Sequence, residues 1–249
     1  MTENLQQQYA TEENLQARIA LHARFSTNPG WAEWLFAREA PPPGARILEV
    51  GCGPATLWRT NRERIDESWS LTLTDASPGM VQAARRELGE RAAYVVADVQ
   101  ELPFAAGSFD VVLANHMLYH VPDRPRAFAE IGRVLVSGGA FHASTIGRGH
   151  LAQLVALVPG WDHGRYAEAF GLETGPEQLR PFFIDIRVER FEDGLAVTDP
   201  EPVLAYIRSS ERYDGGDLAE ARETVQDAID RHRAFVVAKR LGVISCRTP

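Results

Sequence analysis

The sequence predicts an α/β fold built around a doubly wound, mostly parallel β-sheet. Short apolar runs alternate with helical patterns from about residue 45 to residue 146, which is typical of this fold class. The runs are apolar on both faces, as expected for parallel strands that helices cover on both sides. The run ILEV at 47–50 leads into a glycine-rich turn, GCGPA at 51–55, and a helical pattern follows. Doubly wound sheets bind nucleotide-like ligands at such a turn.

Two helices are predicted before the sheet. In the segment 11–25, Leu15, Ile19, His22 and Phe25 recur near helical spacing, and Asn28-Pro29-Gly30 ends this helix. The aromatic segment WAEWLFAREA predicts a second helix, and the hinge PPPG at 41–44 separates it from the first strand.

The middle of the chain alternates strands with helices. Ser77 is the expected N-cap of one helix, with Pro78 at its first position. DRPRAFAEIGRVL at 123–135 predicts the next helix, and Ser137-Gly138-Gly139 is its expected stop signal. After 47–50, further strands are predicted at 71–75, 93–98, 109–115 and 140–145.

The last third of the sequence breaks this rhythm. Residues 147–182 are helical in pattern with several Gly and Pro interruptions, and we expect an insertion over the carboxyl edge of the sheet. A strand is predicted at 184–192, and helices at 200–210 and 217–233. The segment FVVAKRLGVISC at 235–246 predicts one or two strands around Leu241-Gly242.

Composition excludes several classes of protein. The formal net charge of −8 and the sequence pI near 5.4 disfavour a nucleic-acid partner. Cys52 and Cys246 are not in metal-ligand spacing and form no disulfide framework, so we expect no metal and a reducing compartment. The N-terminus is polar, and no apolar run approaches the ~20 residues of a membrane span. These features predict a cytoplasmic protein without a membrane partner.

Acidic residues around the first turn indicate which ligand it binds. Thr56 stands where a dinucleotide fingerprint has its last Gly or Ala, and Glu49 would repel a pyrophosphate placed on the turn. A carboxylate at Glu49 suits a cationic ammonium group instead. Asp75, at the end of the second strand, can accept hydrogen bonds from ribose hydroxyls. Together they predict a nucleoside with an amino-acid tail, such as S-adenosylmethionine.

Four motifs in order resemble those of class I S-adenosylmethionine-dependent methyltransferases. They are EVGCGPA at 49–55, LTDAS at 73–77, ADVQELPF at 97–104 and FDVVLANHMLYHVPD at 109–123. The sequence is similar to the subset that resembles the ubiquinone and menaquinone biosynthesis enzymes and methylates small molecules. The resemblance covers roughly residues 45–147. One departure is Ala55, where the family often has a third glycine, so the turn is expected to differ slightly.

The resemblance implies a Rossmann-like, seven-stranded sheet with an N-terminal helical lid (1–40) and a methyltransferase domain (41–249) that contains the cap insertion 147–182. It also implies roles along the bound cofactor, with the turn at the methionine end, Asp75 at the ribose and Asp98 at the adenine. The implied cofactor-binding residues are Glu49, Gly51, Cys52, Gly53, Asp75, Ala76, Met80, Asp98, Val99, Asn115 and His116.

A general base is needed only if the acceptor is still protonated when it attacks the methyl group. His116 and His120 are the candidate catalytic residues, because imidazole titrates near neutral pH, and an unidentified residue of the cap at 147–182 is the alternative base. Their spacing of four could also suggest a metal, but no helix signal or third ligand accompanies the pair, and a structural role for His120 stays open. Cys52 is expected to pack and not to act as a nucleophile.

We expect a small, partly apolar acceptor, with oxygen favoured over nitrogen or carbon as the methylated atom. The Asn-Pro-Pro-Tyr motif of nucleic-acid amino methylases is absent, since the fourth strand ends in Asn115-His116-Met117-Leu118. Two other classes stay open: a non-catalytic protein that binds S-adenosylmethionine or S-adenosylhomocysteine, and a nicotinamide-dependent oxidoreductase. The aromatic residues of the first 40 positions predict either a homodimer face or a closing lid.

Overall fold

The computed structural model describes residues 20–39, 41–158, 165–209, 213 and 215–249. Most of the first predicted helix therefore lies outside the described residues, although 20–25 are helical as expected. Residues 159–164 of the predicted cap insertion also lie outside them.

The sheet has seven strands in the order β3-β2-β1-β4-β5-β7-β6. All pairs from β3 to β5 are parallel, and β7 pairs with β5 antiparallel. The predicted doubly wound, mostly parallel sheet is therefore confirmed. The strands are β1 Arg46–Val50, β2 Ser70–Asp75, β3 Ala93–Val96, β4 Phe109–Asn115, β5 Leu135–Ile146, β6 Ile184–Val197 and β7 Phe235–Arg247.

Helices connect the strands. The α-helices span Trp31–Glu39, Thr56–Thr60, Pro78–Leu88, Arg124–Val134, Ala152–Val155, Arg165–Phe170, Gly175–Leu179, Pro200–Arg208 and Ala219–His232. Short 3₁₀ turns span Arg62–Arg64, Gly89–Arg91 and Leu118–His120.

Two apolar clusters cover the two faces of the central sheet. Because side chains alternate along a strand, Ile47 and Leu48 of β1 belong to opposite faces. The Ile47 face packs against the helices Trp31–Glu39, Thr56–Thr60 and Pro78–Leu88. The Leu48 face packs against Arg124–Val134 and Gly175–Leu179. Glu49 shares the Ile47 face, so its carboxyl lies on the side of the first group of helices.

One detail of the sequence prediction is wrong. Ser137-Gly138-Gly139 does not stop a helix, because the helix already ends at Val134 and these residues lie within β5. Gly138 has a left-handed φ of +72°, and the register between β4 and β5 shifts here, so the glycines accommodate a strand irregularity. The segment after residue 234, predicted as one or two strands, is one strand, Phe235–Arg247, and does not break at Leu241-Gly242.

The described residues form two compact units. One contains most of the sheet and its flanking helices, within Gly30–Arg148, Tyr166–Phe191 and Leu241–Pro249. The other combines described residues of three separate stretches, 20–29, 149–165 and Glu192–Arg240. The chain passes from one unit to the other within β6 and within β7.

The second unit has its own apolar core and a buried ion pair. Leu195, Val203 and Val225 are among its core residues. Within it, the carboxylate of Asp193 pairs with the ammonium of Lys239, and both side chains are almost completely buried. Among the described residues, no helix is long and apolar enough to cross a membrane.

Candidate active site

The carboxyl ends of β1 and β4 define the candidate site. Val50 pairs with Thr74 of β2 on one side and with Ala114 of β4 on the other. The chain leaves β1 toward β2 and β3, whereas it leaves β4 toward β5, so strand order reverses between β1 and β4. A crevice forms at such a switch point, and ligands of doubly wound sheets bind there.

The turn after β1 is held in a left-handed conformation at alternate residues. Gly51, Gly53 and Ala55 have φ values of +67°, +52° and +57°. A Cβ atom at Gly51 would lie 2.8 Å from Cβ and Cγ of Met117, so this glycine allows the chain after β4 to approach the turn. A Cβ atom at Gly53 would meet nothing within 4 Å, so the turn is open on that side.

Asp75 fixes this turn. Its Oδ2 accepts a hydrogen bond from the backbone N–H of Gly53 at 3.0 Å, and its Oδ1 accepts one from Ser77 N–H at 2.8 Å. Burial raises the pKa of Asp75, although the two backbone donors oppose this effect. The carboxylate that we expect to bind a ribose therefore also orders the turn beside it.

Glu49 is a buried carboxyl at the end of β1. Its side chain accepts hydrogen bonds from the indole N–H of Trp58 at 2.6 Å and from Nδ2 of Asn115 at 3.1 Å. Burial raises the pKa of Glu49 to about 7, and these two hydrogen bonds limit the rise. Asn115 shares the sheet face of Glu49 because Leu113 pairs with Glu49 in the register of β1 and β4.

Glu39, the last residue of the helix Trp31–Glu39, is a further residue of the candidate site that the sequence motifs did not indicate. Its side chain is buried, with a residue exposure of 2%, and its Oε2 accepts a hydrogen bond from Asn115 Nδ2 at 3.4 Å. Burial raises the pKa of Glu39 well above its usual value, and the neighbouring Glu49 raises it further. One signal was available, since Glu39 lies three and four residues after the buried Phe36 and Leu35, on their helix face.

These residues fit a nucleoside that carries a cationic amino-acid tail. Oε1 of Glu39 and Oδ1 of Asn115 are buried acceptors that have no hydrogen-bond partner among the described residues. An ammonium group has three donors and no acceptor, so it matches this set of oxygens. Asp75, which acts electrostatically on Glu49, binds the turn at Gly53, whose other side is open.

The two candidate catalytic histidines contact different aromatic side chains. His116 directly follows β4 and has a left-handed φ of +53°, and its ring lies 5.5 Å from that of Trp31. His120 lies in the turn Leu118–His120, with its ring 5.3 Å from that of Tyr166. A left-handed backbone at a residue other than glycine is strained, and such strain is often found at functional sites.

The remaining predicted residues lie around the ends of β2 and β3. Ala76 and Met80 are partly buried beside Asp75, at the start of the helix Pro78–Leu88. Asp98 is exposed, and its carboxylate accepts hydrogen bonds from the backbone and the side chain of Gln100. Val99 is buried in the apolar cluster on the Leu48 face of the sheet. The contact of Ala76 with the ribose and those of the other three residues with the adenine stay predictions.

Cys52 is buried within the turn. Its pKa is raised, chiefly by burial and also by the nearby Glu49 and Asp75. A thiol in this environment is a poor nucleophile, which agrees with a packing role. Within the described ranges, no group of three or more His, Cys, Asp or Glu side chains is arranged to bind a metal ion.

Comparison with known proteins assigns a family. The profile described as a methyltransferase domain matches residues 48–143. The 27-O-demethylrifamycin SV methyltransferase of Amycolatopsis mediterranei is 33% identical over 224 residues, which cover 81% of this chain and 75% of that protein. The ubiquinone biosynthesis O-methyltransferase of Xanthomonas axonopodis is 37% identical over 142 residues, so the chain spans only 56% of that relative's length.

A solved structure supports the same fold. The phosphoethanolamine N-methyltransferase 2 of Haemonchus contortus, in complex with S-adenosyl-L-methionine, aligns with a TM-score of 0.62. The alignment covers 98% of this chain and 59% of that chain, at 21% sequence identity.

Proposed function

Because this chain belongs to the class I S-adenosylmethionine-dependent methyltransferases, as its sequence motifs predict, we propose that it methylates a hydroxyl group of a small, partly apolar molecule. The observation that carries this proposal is the group of Glu49, Asp75 and the open turn at Gly53. Glu49 and Gly53 lie at and just after the end of β1, beside the switch point between β1 and β4 where a doubly wound sheet binds its ligand, and Asp75 binds this turn from the end of β2.

The aromatic surroundings of His116 support a partly apolar acceptor. Trp31 and Trp34 stack with ring centroids 5.4 Å apart, and both contact Phe191 at 5.4 Å and 5.3 Å. The ring of Trp31 also contacts that of His116, the residue at the end of β4. Aromatic side chains of this kind bind planar or apolar molecules through their faces and edges. The two curated relatives are named as O-methyltransferases or as acting on an O-demethylated compound, which favours oxygen as the acceptor atom.

When bound, S-adenosylmethionine would supply an electrophilic methyl group on its sulfonium sulfur, and this sulfur is a good leaving group because it becomes a neutral thioether. The chain's own contribution is therefore to align the two reactants and to exclude water from them. Glu49, Asp75 and the turn would hold the amino-acid tail and the ribose. His116 or His120 would take the hydroxyl proton, since a neutral imidazole accepts a proton readily near pH 7.

The proposal is tested with S-adenosylmethionine that carries a labelled methyl group. Small hydroxylated aromatic compounds, matched amines and matched carboxylic acids serve as acceptors. We expect label on hydroxyl oxygens. We also expect His116→Asn, which tolerates the left-handed backbone, to lower kcat by roughly 10²–10⁴-fold if His116 is the base. His120→Ala is the parallel variant, and it tests the second candidate.

Two outcomes would contradict the proposal. Transfer to amines alone would assign a different acceptor atom. Binding of S-adenosylmethionine without transfer to any acceptor would favour the non-catalytic alternative, because a binding protein and an enzyme share the same cofactor residues.

A further inference from the structure

We propose that Glu39 is a second carboxyl group, beside Glu49, that binds the ammonium of the cofactor's amino-acid tail. This inference rests on the proposed function, because it assigns a residue to the same cofactor. Glu39 comes from the helix Trp31–Glu39 and not from the motifs that end the strands. It would join the end of this helix to the cofactor.

The geometry supports this role through one shared donor. Nδ2 of Asn115 donates to Oε2 of Glu39 at 3.4 Å and to Oε1 of Glu49 at 3.1 Å, so both carboxyls lie within reach of a single amide. Oε1 of Glu39 and Oδ1 of Asn115 are left without a partner among the described residues, although both atoms are buried. A buried acceptor without a donor costs free energy, and a donor with several N–H groups would remove that cost.

The charges around Glu39 favour a cationic ligand. Glu49 raises the pKa of Glu39 from β1, and the acidic Asp75, at the end of β2, acts in the same sense on Glu49. The basic side chains nearby are engaged elsewhere. Arg38 pairs with Glu189 and lies over the ring of Trp34. Arg64 lies over the ring of Phe36. The ring of His116 lies against that of Trp31.

Binding of an ammonium would be coupled to loss of a proton. Burial raises the pKa of both Glu39 and Glu49, and Glu49 raises that of Glu39 further, so near pH 7 the free pair retains bound protons. An ammonium favours the ionised carboxylates. The protein therefore releases protons when the cofactor binds near pH 7, and this release diminishes as the pH rises above the pKa values of the pair.

The experiment is calorimetric titration of wild type, Glu39→Gln and Glu33→Gln with two probes. S-adenosylhomocysteine carries the amino-acid tail, whereas 5′-methylthioadenosine lacks it. Glu33 lies on the same helix but is exposed, so Glu33→Gln is the matched control. Buffers of different ionisation enthalpy give the number of protons released. A thermal scan verifies that each variant is folded.

We expect Glu39→Gln to weaken S-adenosylhomocysteine binding by roughly 10- to 100-fold, as for a lost hydrogen bond to a charged group, and to reduce proton release. Its affinity for 5′-methylthioadenosine and both affinities of Glu33→Gln should match wild type. Wild-type affinity of Glu39→Gln for S-adenosylhomocysteine would overturn the inference. So would an equal loss for both probes, because that result assigns Glu39 to the structure of the site. If wild type binds neither probe, the proposed function itself fails.

Discussion

Glu49 is a carboxyl group whose burial makes the stability of the free protein depend on pH. Its folded pKa of about 7 lies above the ordinary value of 4.5, so the folded state holds this proton more tightly than the unfolded chain. For an acid with a raised pKa, the free energy of unfolding decreases as the pH rises from the unfolded pKa to the folded pKa. Above the folded pKa it no longer depends on this group. The pKa values of Glu39 and Asp75 are raised as well, so they act in the same direction.

The variant Glu49→Gln removes this titration. Between about pH 5 and about pH 8, wild type should lose roughly 1–3 kcal/mol of unfolding free energy relative to the variant. Urea unfolding across that pH range, without cofactor, measures the difference. Parallel pH profiles for the two proteins would contradict the assignment of a raised pKa to Glu49.

The two glycines of the first turn should respond differently to the same substitution. Gly53→Ala adds a Cβ atom in open space at a left-handed φ, so it should cost roughly 1 kcal/mol of stability but weaken S-adenosylhomocysteine binding at least tenfold. Gly51→Ala adds an overlap with Met117, so it should cost roughly 2–4 kcal/mol. Denaturation and calorimetric titration separate these effects. Unchanged affinity in a folded Gly53→Ala variant would show that the cofactor does not occupy that space.

Local sequence patterns indicate some residues of the candidate site but not others. Glu49 and Asp75 lie beside the glycine turn or at the end of a strand, where local pattern fixes the position of a side chain. Glu39 contacts Asn115, which is 76 positions away, and its burial depends on how a helix packs on the sheet. No local sequence pattern predicts a contact between residues so far apart in the chain. The position of Glu39 on the apolar face of its helix indicates only that its side chain is buried.

Helices were predicted well where the helical spacing of apolar residues and a capping residue indicated the same start. The helix Arg124–Val134 begins after Asp123, whose side chain accepts a hydrogen bond from Arg126 N–H. The predicted stop signal at Ser137-Gly138-Gly139 was wrong, because glycines stop helices and also accommodate irregular strands. A Cβ atom at Gly139 would lie 2.8 Å from the carbonyl oxygen of Val136, so this glycine allows a close approach inside β5.

The buried ion pair between Asp193 and Lys239 stabilises the contact between β6 and β7 in the second unit. Burial acts to raise the pKa of Asp193, but hydrogen bonds from Lys239 and Ser26 outweigh it and lower the pKa. Ser26 donates to both oxygens of Asp193, at 2.9 Å and 2.8 Å. Asp193 therefore links the segment after residue 25 to β6 and β7.

Asp193→Ala leaves the ammonium of Lys239 buried without its partner. The variant should lose about 3–5 kcal/mol of stability, as expected when one member of a buried pair is removed. Asp227→Ala, which breaks an exposed pair with Arg231, should lose less than about 1 kcal/mol and is the control. Differential scanning calorimetry compares them. Similar losses in the two variants would mean that burial of the Asp193 pair adds nothing to stability.

For the whole molecule, strand–helix alternation and four ordered motifs were enough to predict the sheet and the family. The two compact units could not be predicted, because one of them assembles three stretches far apart in sequence. A lid at 1–40, a homodimer face and the absence of a nucleic-acid partner stay predictions. The acceptor is also not fixed by sequence, since the motifs belong to the cofactor site and not to the aromatic residues around His116.

The most direct test of this account is calorimetric titration of wild type and Asp75→Ala with S-adenosylmethionine and S-adenosylhomocysteine. Asp75 orders the turn through Gly53 and is the expected ribose ligand, so the variant should lose most of the binding. We predict binding of both ligands by wild type with micromolar affinity, and at least about tenfold weaker binding by the variant. Failure of folded wild-type protein to bind either ligand would contradict the cofactor assignment and, with it, the proposed methyl transfer.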